Sequence, residues 1–324
     1  MNSPLLITYE YPPDHGGIAK YLKSEVSLKV GNVVVMRAQE HMMSLWPQWL
    51  PLIWKGIGAL RDNKCKSMWV SHVLPVGYIA LVYKKLFKIP YRVYVHGLDL
   101  ARPRKSFWKR FWVRRILLNA DEVVANSKAS SKLLIYYSIS PSIARVQYPR
   151  ISSTDVHNHG ILGKELRKKY GIGDKPVLLT VSRLVKRKGI DLVTRAMPEI
   201  WKKIPDLVYV IVGAGDERAH LQNLSNKATE ESKSTQGGVL FTGSVSDEEK
   251  YGWLSACDCF ILTPINSPND FEGYGIVYKE AQMFSKPVIG SRVGGVPEAV
   301  GSKGVLVEAG NIDEIIKQVI QNIK

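Results

Sequence analysis

Short apolar runs alternate along the chain with longer segments in which apolar positions return every three to four residues. In the first half LLITY, NVVVM, MWVSHV, YRVYVH and EVVANS read as strands, with helices over Ile18–Val30 and Ser127–Tyr137. In the second half VLLTVSR, LVYVIVG, VLFTGS, CFILTP and PVIGSR read as strands. Their helices cover Gly189–Ile200, Asp216–Ser225, Asp247–Ala256, Val277–Phe284 and Ile312–Ile323. Strand–helix alternation without an internal repeat predicts an α/β fold with parallel sheets and crossover helices. The stretch Tyr148–Gly173, rich in Pro, Ser, His, Asn and Gly and ending in the basic helical piece KELRKKYG, reads as a linker and re-entry. It divides the 324 residues into two doubly wound domains, 1–149 and 150–324. Two such domains facing each other would bind ligands at the carboxyl ends of their strands, in the cleft between them.

Composition narrows the class. With 45% hydrophobic and 23% charged residues the chain is globular rather than disordered or collagen-like. Three cysteines provide no disulfide framework, and Cys257-x-Cys259 lacks zinc-ligand spacing, so the pair reads as small buried hydrophobes. MNSPLLITYEYPP lacks the basic start and long apolar core of a signal peptide. The longest apolar stretch, Met68–Tyr83, is interrupted by Ser71, His72, Pro75 and Gly77 and is too short to cross a membrane.

Charge changes the picture more. The chain carries a formal +16, and residues 1–149 hold 22 Lys and Arg against 8 Asp and Glu, whereas 150–324 hold 23 against 21. From Lys84 to Arg115 there are eleven cations and one acid, Asp99. At the centre lies KSFWKRFWVRRILL, where Phe107, Trp108, Phe111, Trp112 and Ile116 recur at helical spacing among Lys105, Lys109, Arg110, Arg114 and Arg115. A cationic helix with aromatics suits an anionic membrane surface. The same pattern fits a core helix with its aromatics packed inward, or a nucleic-acid groove reader.

Chemistry is expected where strands end. Gly16-Gly17 precedes a helix whose bare amides suit a phosphate or sugar. His96-Gly97-Leu98-Asp99 follows YRVYV, and Asn126 and Ser127 follow EVVA, where they could cap the next helix. Arg183 and Lys188 stand between a strand and a helix amino terminus, a strong anion site. Gly213-x-Gly215 invites a dinucleotide reading, but Arg218 stands where a third glycine belongs. The densest segment is NDFEGYGIVYKEAQMF: Glu272, then Gly273, Tyr274 and Gly275, then a helix carrying Glu280, with VGGVPEAV after the next strand. Here glycines admit close backbone approach, and two carboxylates can reach different parts of one extended ligand.

GGI, VHGLD, TVSRLVKRKG, IVGAGDER, FTGSVSDEE, the Glu-x7-Glu element and GGVPEAV occur in order across most of the chain. In these the sequence resembles a retaining family 4 glycosyltransferase of the GT-B fold, nearest the branch of phosphatidylinositol mannosyltransferases and cell-surface polysaccharide enzymes. The resemblance implies a basic acceptor-side domain over 1–149 and a donor-binding domain over 150–324. The donor it implies is a GDP- or UDP-sugar, with GDP-mannose slightly favoured, and the acceptor is lipid-linked or a glycan. Glu280 would hold the donor ribose. Glu272 would contact the transferred sugar, with the Gly273, Tyr274 and Gly275 amides near sugar and diphosphate. Arg183 and Lys188 would bind the diphosphate, His96 would lie near the transferred sugar, and Gly16-Gly17 would approach the diphosphate. No cofactor is implied beyond the nucleotide-sugar co-substrate, and no metal: fixed cations and helix amides stabilise the leaving group. The expected location is the cytoplasmic face of the cell membrane.

Two departures stand out. Tyr274 replaces the usual phenylalanine, and members typically continue beyond a helix such as IDEIIKQVIQNIK, which here ends at Lys324. A nucleic-acid-binding α/β protein and an epimerase- or phosphorylase-type enzyme of the same fold are the alternatives.

Overall fold

A computed structural model describes residues 3–14, 16–29, 32–44, 47–62, 65–151, 159–232, 236–267 and 270–323. Val30, at the end of one expected helix, and residues 152–158 of the expected linker lie outside these. The chain divides into two compact units, Met1–Arg150 with Asn269–Tyr274, and Ile151–Pro268 with Gly275–Lys324. A single boundary near residue 150 does not anticipate the return at Asn269–Tyr274.

Unit 1 holds one six-stranded sheet of β1 (Pro4–Thr8), β2 (Val34–Arg37), β3 (Ser67–Ser71), β4 (Tyr91–Val95), β5 (Glu122–Ala125) and β6 (Ala144–Val146), ordered β2-β1-β3-β4-β5-β6. Every pairing is parallel. Its helices are α1 (Gly17–Ser27), α2 (Leu50–Asp62), α3 (Val76–Phe87), α4 (Leu98–Ala101), α5 (Phe107–Asn119) and α6 (Lys128–Lys132). The strands are apolar on both faces because both are covered. Leu5, Ile7, Val70, Val93 and Val95 share a core with residues of α2, α3 and α5, while Leu6, Trp69, Tyr94 and Val124 meet Tyr21 and Leu22 of α1. The apolar stretch Met68–Tyr83 resolves into β3, a turn at His72 and most of α3. The helix expected over Ser127–Tyr137 is shorter: α6 gives way to a 3-10 turn over Leu133–Tyr137. Serines explain the change, since the Ser131 hydroxyl donates to the Lys128 carbonyl within the helix, a local bond that competes with the backbone ladder.

Unit 2 holds β7 (Val177–Val181), β8 (Val208–Val212), β9 (Gly238–Gly243), β10 (Cys259–Ile261), β11 (Val288–Ser291) and β12 (Val305–Val307), ordered β12-β11-β10-β7-β8-β9 and again all parallel. Its helices are α7 (His159–Lys169), α8 (Ile190–Trp201), α9 (Arg218–Glu231), α10 (Asp247–Ala256), α11 (Ile276–Met283), α12 (Val296–Val300) and α13 (Ile312–Asn322). Leu178, Tyr209, Ile211, Cys259, Ile261 and Ile289 form its main core with residues of α8, α9 and α13. Strand order reverses between β1 and β3 in unit 1 and between β7 and β10 in unit 2. At such switch points the two crossover helices lie on opposite faces and leave a crevice at the carboxyl ends of the strands.

Candidate functional site

In unit 1, β4 delivers His96 to the carboxyl end of the sheet, where it is buried. Its Nε2 lies 2.8 Å from the hydroxyl of Ser71, fully buried at the end of β3. The next residue, His72, is held in the left-handed region (φ 76) with its ring centroid 5.2 Å from that of His96. His72 Nδ1 lies 2.9 Å from the Ser71 carbonyl, which can only accept, so that nitrogen carries the proton. The Ser71–His96 contact is a hydrogen bond in either imidazole tautomer: the Ser71 hydroxyl donates to a bare Nε2 or accepts from an Nε2–H. His96 Nδ1 is buried without a partner among the described residues. Burial, reinforced by His72, holds the His96 imidazole well below its ordinary pKa, hence neutral. Asp99 Oδ1 accepts the His96 backbone N–H at 2.9 Å, and Oδ2 is buried without a partner among the described residues. Burial pushes this carboxyl up, against the opposing pull of His72 and of neighbouring backbone N–H groups.

Against this strand end packs the returning segment. The Gly273 carbonyl accepts the Ser127 hydroxyl at 2.6 Å. A Cβ on Gly273 would lie 2.0 Å from the His96 carbonyl oxygen and 2.9 Å from Asn126 Nδ2. One on Gly97 (φ 96) would lie 2.4 Å from Phe271. These glycines are therefore required by close packing. Glu272 and Tyr274 are both buried, Tyr274 with its ring 5.6 Å from Tyr148. Elsewhere in the unit, α1 opens at Gly16-Gly17 with no side-chain cap and no acid in its first turn, and the Glu10 carboxylate stands 2.9 Å from where a Gly16 Cβ would lie.

In unit 2, Arg183 follows β7 and is exposed, while Lys188 is buried in the 3-10 turn Lys186–Lys188 just before α8. Gly189 (φ 63) caps α8, and a Cβ there would sit 2.0 Å from the Thr263 carbonyl beyond β10, which places Lys188 at the β7/β10 switch point. Cβ atoms on Gly213 and Gly215 would fall 1.9 and 2.2 Å from the Ser182 and Leu184 carbonyls. Packing that steadies the Arg183 loop thus explains the glycine pair that invited a dinucleotide reading. Gly275 (φ 84) opens α11 with no side-chain cap and no acid in the first turn. On α11 Glu280 is 2% exposed, and its Oε1 accepts from Lys250 Nζ at 2.6 Å and from the Tyr251 hydroxyl at 3.2 Å.

The cationic helix is α5, capped by Ser106. Its buried face is Val113, Ile116 and Leu117, with Trp112 half-buried edge-on to Tyr78 at 5.4 Å. Phe107 and Trp108 are 86% and 62% exposed, and Phe111 and the side chains of Lys105, Lys109, Arg110, Arg114 and Arg115 are exposed as well. The inward-packed reading therefore fails for Phe107, Trp108 and Phe111. Exposed Ile135 and Tyr136 extend the patch: Arg110 donates to the Tyr136 carbonyl at 3.1 Å, and Arg104 lies 5.0 Å over the Tyr136 ring. A crossover helix runs against its strands, so the amino terminus of α5 lies at the same end of the sheet as His96.

Sequence reasoning missed Ser71, His72, Lys250 and Tyr251, and treated Asn126 and Ser127 as caps. Ser127 does cap α6, accepting the Ser130 N–H, and also holds Gly273. For Ser71 and His72 the available signal was their place at a strand end inside MWVSHV. Among the described residues, no helix is long and apolar enough to cross a membrane, and no group of three or more His, Cys, Asp or Glu side chains is placed to hold a metal ion.

Residues 163–324 match the family of glycosyl transferases group 1. A GDP-mannose-dependent alpha-(1-6)-phosphatidylinositol monomannoside mannosyltransferase of Mycolicibacterium smegmatis is 27% identical over 345 residues, covering 96% of this chain and 86% of that protein. Its namesake from Mycobacterium tuberculosis is 25% identical over 365 residues, covering 99% and 89%. The crystal structure of Anabaena HepE in complex with UDP-glucose superposes with a TM-score of 0.75 at 18% identity, covering 98% of this chain and 88% of that one. The chain has the GT-B fold, belongs to the glycosyl transferases group 1 family and is a glycosyltransferase.

Proposed function

We propose that this glycosyltransferase moves a hexose from a nucleoside-diphosphate sugar to a lipid-linked or glycan acceptor, with retention of anomeric configuration. The observation that carries the reading is in unit 2, where buried Lys188 and exposed Arg183 follow a strand at a switch point and Glu280 is buried on a helix with open amides. Cleaving a glycosyl–phosphate bond builds negative charge on the departing diphosphate, and fixed cations and N–H dipoles lower that barrier without reorganising. Arg183, Lys188 and the first-turn amides of α11 take this role, and no metal ion is required. Glu280 binds the ribose and Glu272 the sugar hydroxyls. His96, held neutral, offers Nδ1, which has no partner among the described residues, for a hydrogen bond with sugar or acceptor. The acceptor hydroxyl attacks from the side the diphosphate leaves. Its proton passes to the departing phosphate oxygen, so one C–O bond forms as one breaks and no further base is consumed.

The names of the mycobacterial relatives support GDP-mannose as donor and a phosphoinositide-type glycolipid as acceptor. Exposed Phe107, Trp108 and Phe111 among exposed cations support docking on an anionic bilayer at the cytoplasmic face of the cell membrane.

A panel of GDP- and UDP-sugars, scored by nucleotide release with and without acceptor, tests the reading and separates transfer from hydrolysis or epimerisation. Glu280→Ala and Lys188→Ala should each lower turnover by about 100-fold or more; full activity in both would sink the assignment. Sedimentation with phosphatidylglycerol vesicles should exceed that with phosphatidylcholine and fall in Trp108→Ser/Phe111→Ser. Equal binding to both lipids, or none, contradicts the membrane role.

A further inference from the structure

Glu280 presents a physical problem that its expected role does not solve. A carboxylate 2% exposed has lost nearly all its water, a cost of several kcal/mol for an isolated ion. It must be compensated before it can serve any ligand. The compensation comes from α10, thirty residues away in sequence. Lys250 Nζ lies 2.6 Å from Glu280 Oε1, the two side chains being 11% and 3% exposed. The same ammonium lies 3.4 Å from Asp247 Oδ1 and 4.1 Å from the Tyr251 ring centroid, and the Tyr251 hydroxyl donates to Glu280 Oε1 at 3.2 Å. This ammonium is thus held by two carboxylates and a ring face.

Resting on the reading of Glu280 as the ribose-binding residue, we propose that Lys250 is a positioning residue for donor recognition. With Tyr251 it anchors Oε1 and keeps the carboxylate charged and oriented towards the vicinal hydroxyls of a ribonucleotide. Lys250 and Tyr251 both meet Oε1, so they fix the charge and direction of the carboxylate that a ribose diol would meet. Acceptance by a charged oxygen is worth more than by a neutral one. The Lys250–Glu280 pair therefore sets how strongly the site distinguishes ribose from deoxyribose, a property that fold stability alone does not control.

The test is a cycle between protein and ligand. Affinities of UDP, GDP and their 2′-deoxy and 3′-deoxy counterparts are measured by titration calorimetry on the full chain, for wild type, Lys250→Met, Lys250→Arg and Glu280→Gln. Wild type should prefer the ribonucleotide by about tenfold or more over at least one deoxy form, the worth of a hydrogen bond to a charged group. Lys250→Met should shrink that ratio to about threefold or less, and Lys250→Arg, which keeps the charge, should retain most of it. A general loss of folding weakens all ligands alike and leaves the ratio intact, so an unchanged ratio in Lys250→Met overturns the proposal. If Glu280→Gln also leaves the ratio unchanged, the ribose assignment itself has failed. If Glu280→Gln collapses the ratio and Lys250→Met does not, only the role of Lys250 has.

Discussion

Gly273→Ala adds one methyl group where the structure leaves no room. The new Cβ would lie 2.0 Å from the His96 carbonyl oxygen, against 3.4 Å for ordinary contact, so the separation must grow by about 1.4 Å. Both obstacles are poorly yielding: one is backbone at the end of a central strand, and the other is Asn126 Nδ2, within reach of the same carbonyl. The segment Phe271–Tyr274 must therefore lift, which breaks the 2.6 Å bond from Ser127 to the Gly273 carbonyl and carries Glu272 with it. Overpacking costs about 1–3 kcal/mol and the lost hydrogen bond about 1 kcal/mol. A displacement near 1 Å at a positioned group costs on the order of 100-fold in rate.

Gly273→Ala should therefore lower the thermal midpoint by several degrees, roughly 2–4 °C for each kcal/mol in a unit of this size. It should also lower kcat/KM for sugar transfer about 100-fold, read as nucleotide release with saturating acceptor. Ser127→Ala, which removes the hydrogen bond and leaves Gly273 in place, should cost about 1 kcal/mol and less than tenfold in rate. A Gly273→Ala enzyme with wild-type kcat/KM would refute both the packing and the placing of Glu272 by it.

Three further outcomes follow from the site and the core. Burial keeps His96 neutral, so unfolding takes up a proton as pH falls below about 6.5. His96-linked stability is then complete above that pH and is lost below it, by up to about 1.4 kcal/mol per pH unit. His96→Asn should flatten the urea midpoint between about pH 7.5 and 5.5 relative to wild type; parallel profiles would contradict the buried neutral state. All three cysteines are buried, with the Cys257 thiol pushed up to about 12 by burial and those of Cys65 and Cys259 also raised. Ellman's reagent at about pH 8 should then find less than one thiol per native chain and three after denaturation. A chelator in excess should leave turnover within about twofold if Arg183, Lys188 and helix amides suffice for the leaving group; loss restored by a divalent ion would overturn that account.

Ten of the twelve strands among the described residues were readable from apolar runs, because the central strands of both sheets are buried on both faces. The failures have definite causes. β6 and β12 are three-residue edge strands, ARV and VLV, too short for any pattern to register. α3 follows β3 with only the His72–Pro75 turn between, so strand and helix merge into one apolar stretch that periodicity cannot divide. The cations at the unit 2 strand ends were legible for a positional reason: in a parallel sheet, ligands meet the carboxyl ends. Ser71 and Lys250 were not, because each acts through a partner 25 or 30 residues away, and nothing in the local pattern announces a hydrogen bond of that span.

The charge asymmetry gains meaning from where individual cations stand. In unit 2 many are paired: Arg167 with Asp258, Lys202 with Glu199, Arg292 with Glu308 and Lys250 with Glu280. On unit 1, Lys105, Lys109, Arg114 and Arg115 make no ion pair among the described residues. Lys109 and Arg110 lie in the first turn of α5, where the helix dipole disfavours positive charge by about 0.3–1 kcal/mol each, and no acid balances them there. Beside them three large aromatic side chains stand exposed, contributing little to the core. Folding stability alone would favour acids in that turn and small polar residues in place of the rings. A helix that breaks both rules at the sheet end carrying His96 is what the proposed docking on an anionic, partly apolar surface would require, since such a surface would satisfy both departures at once.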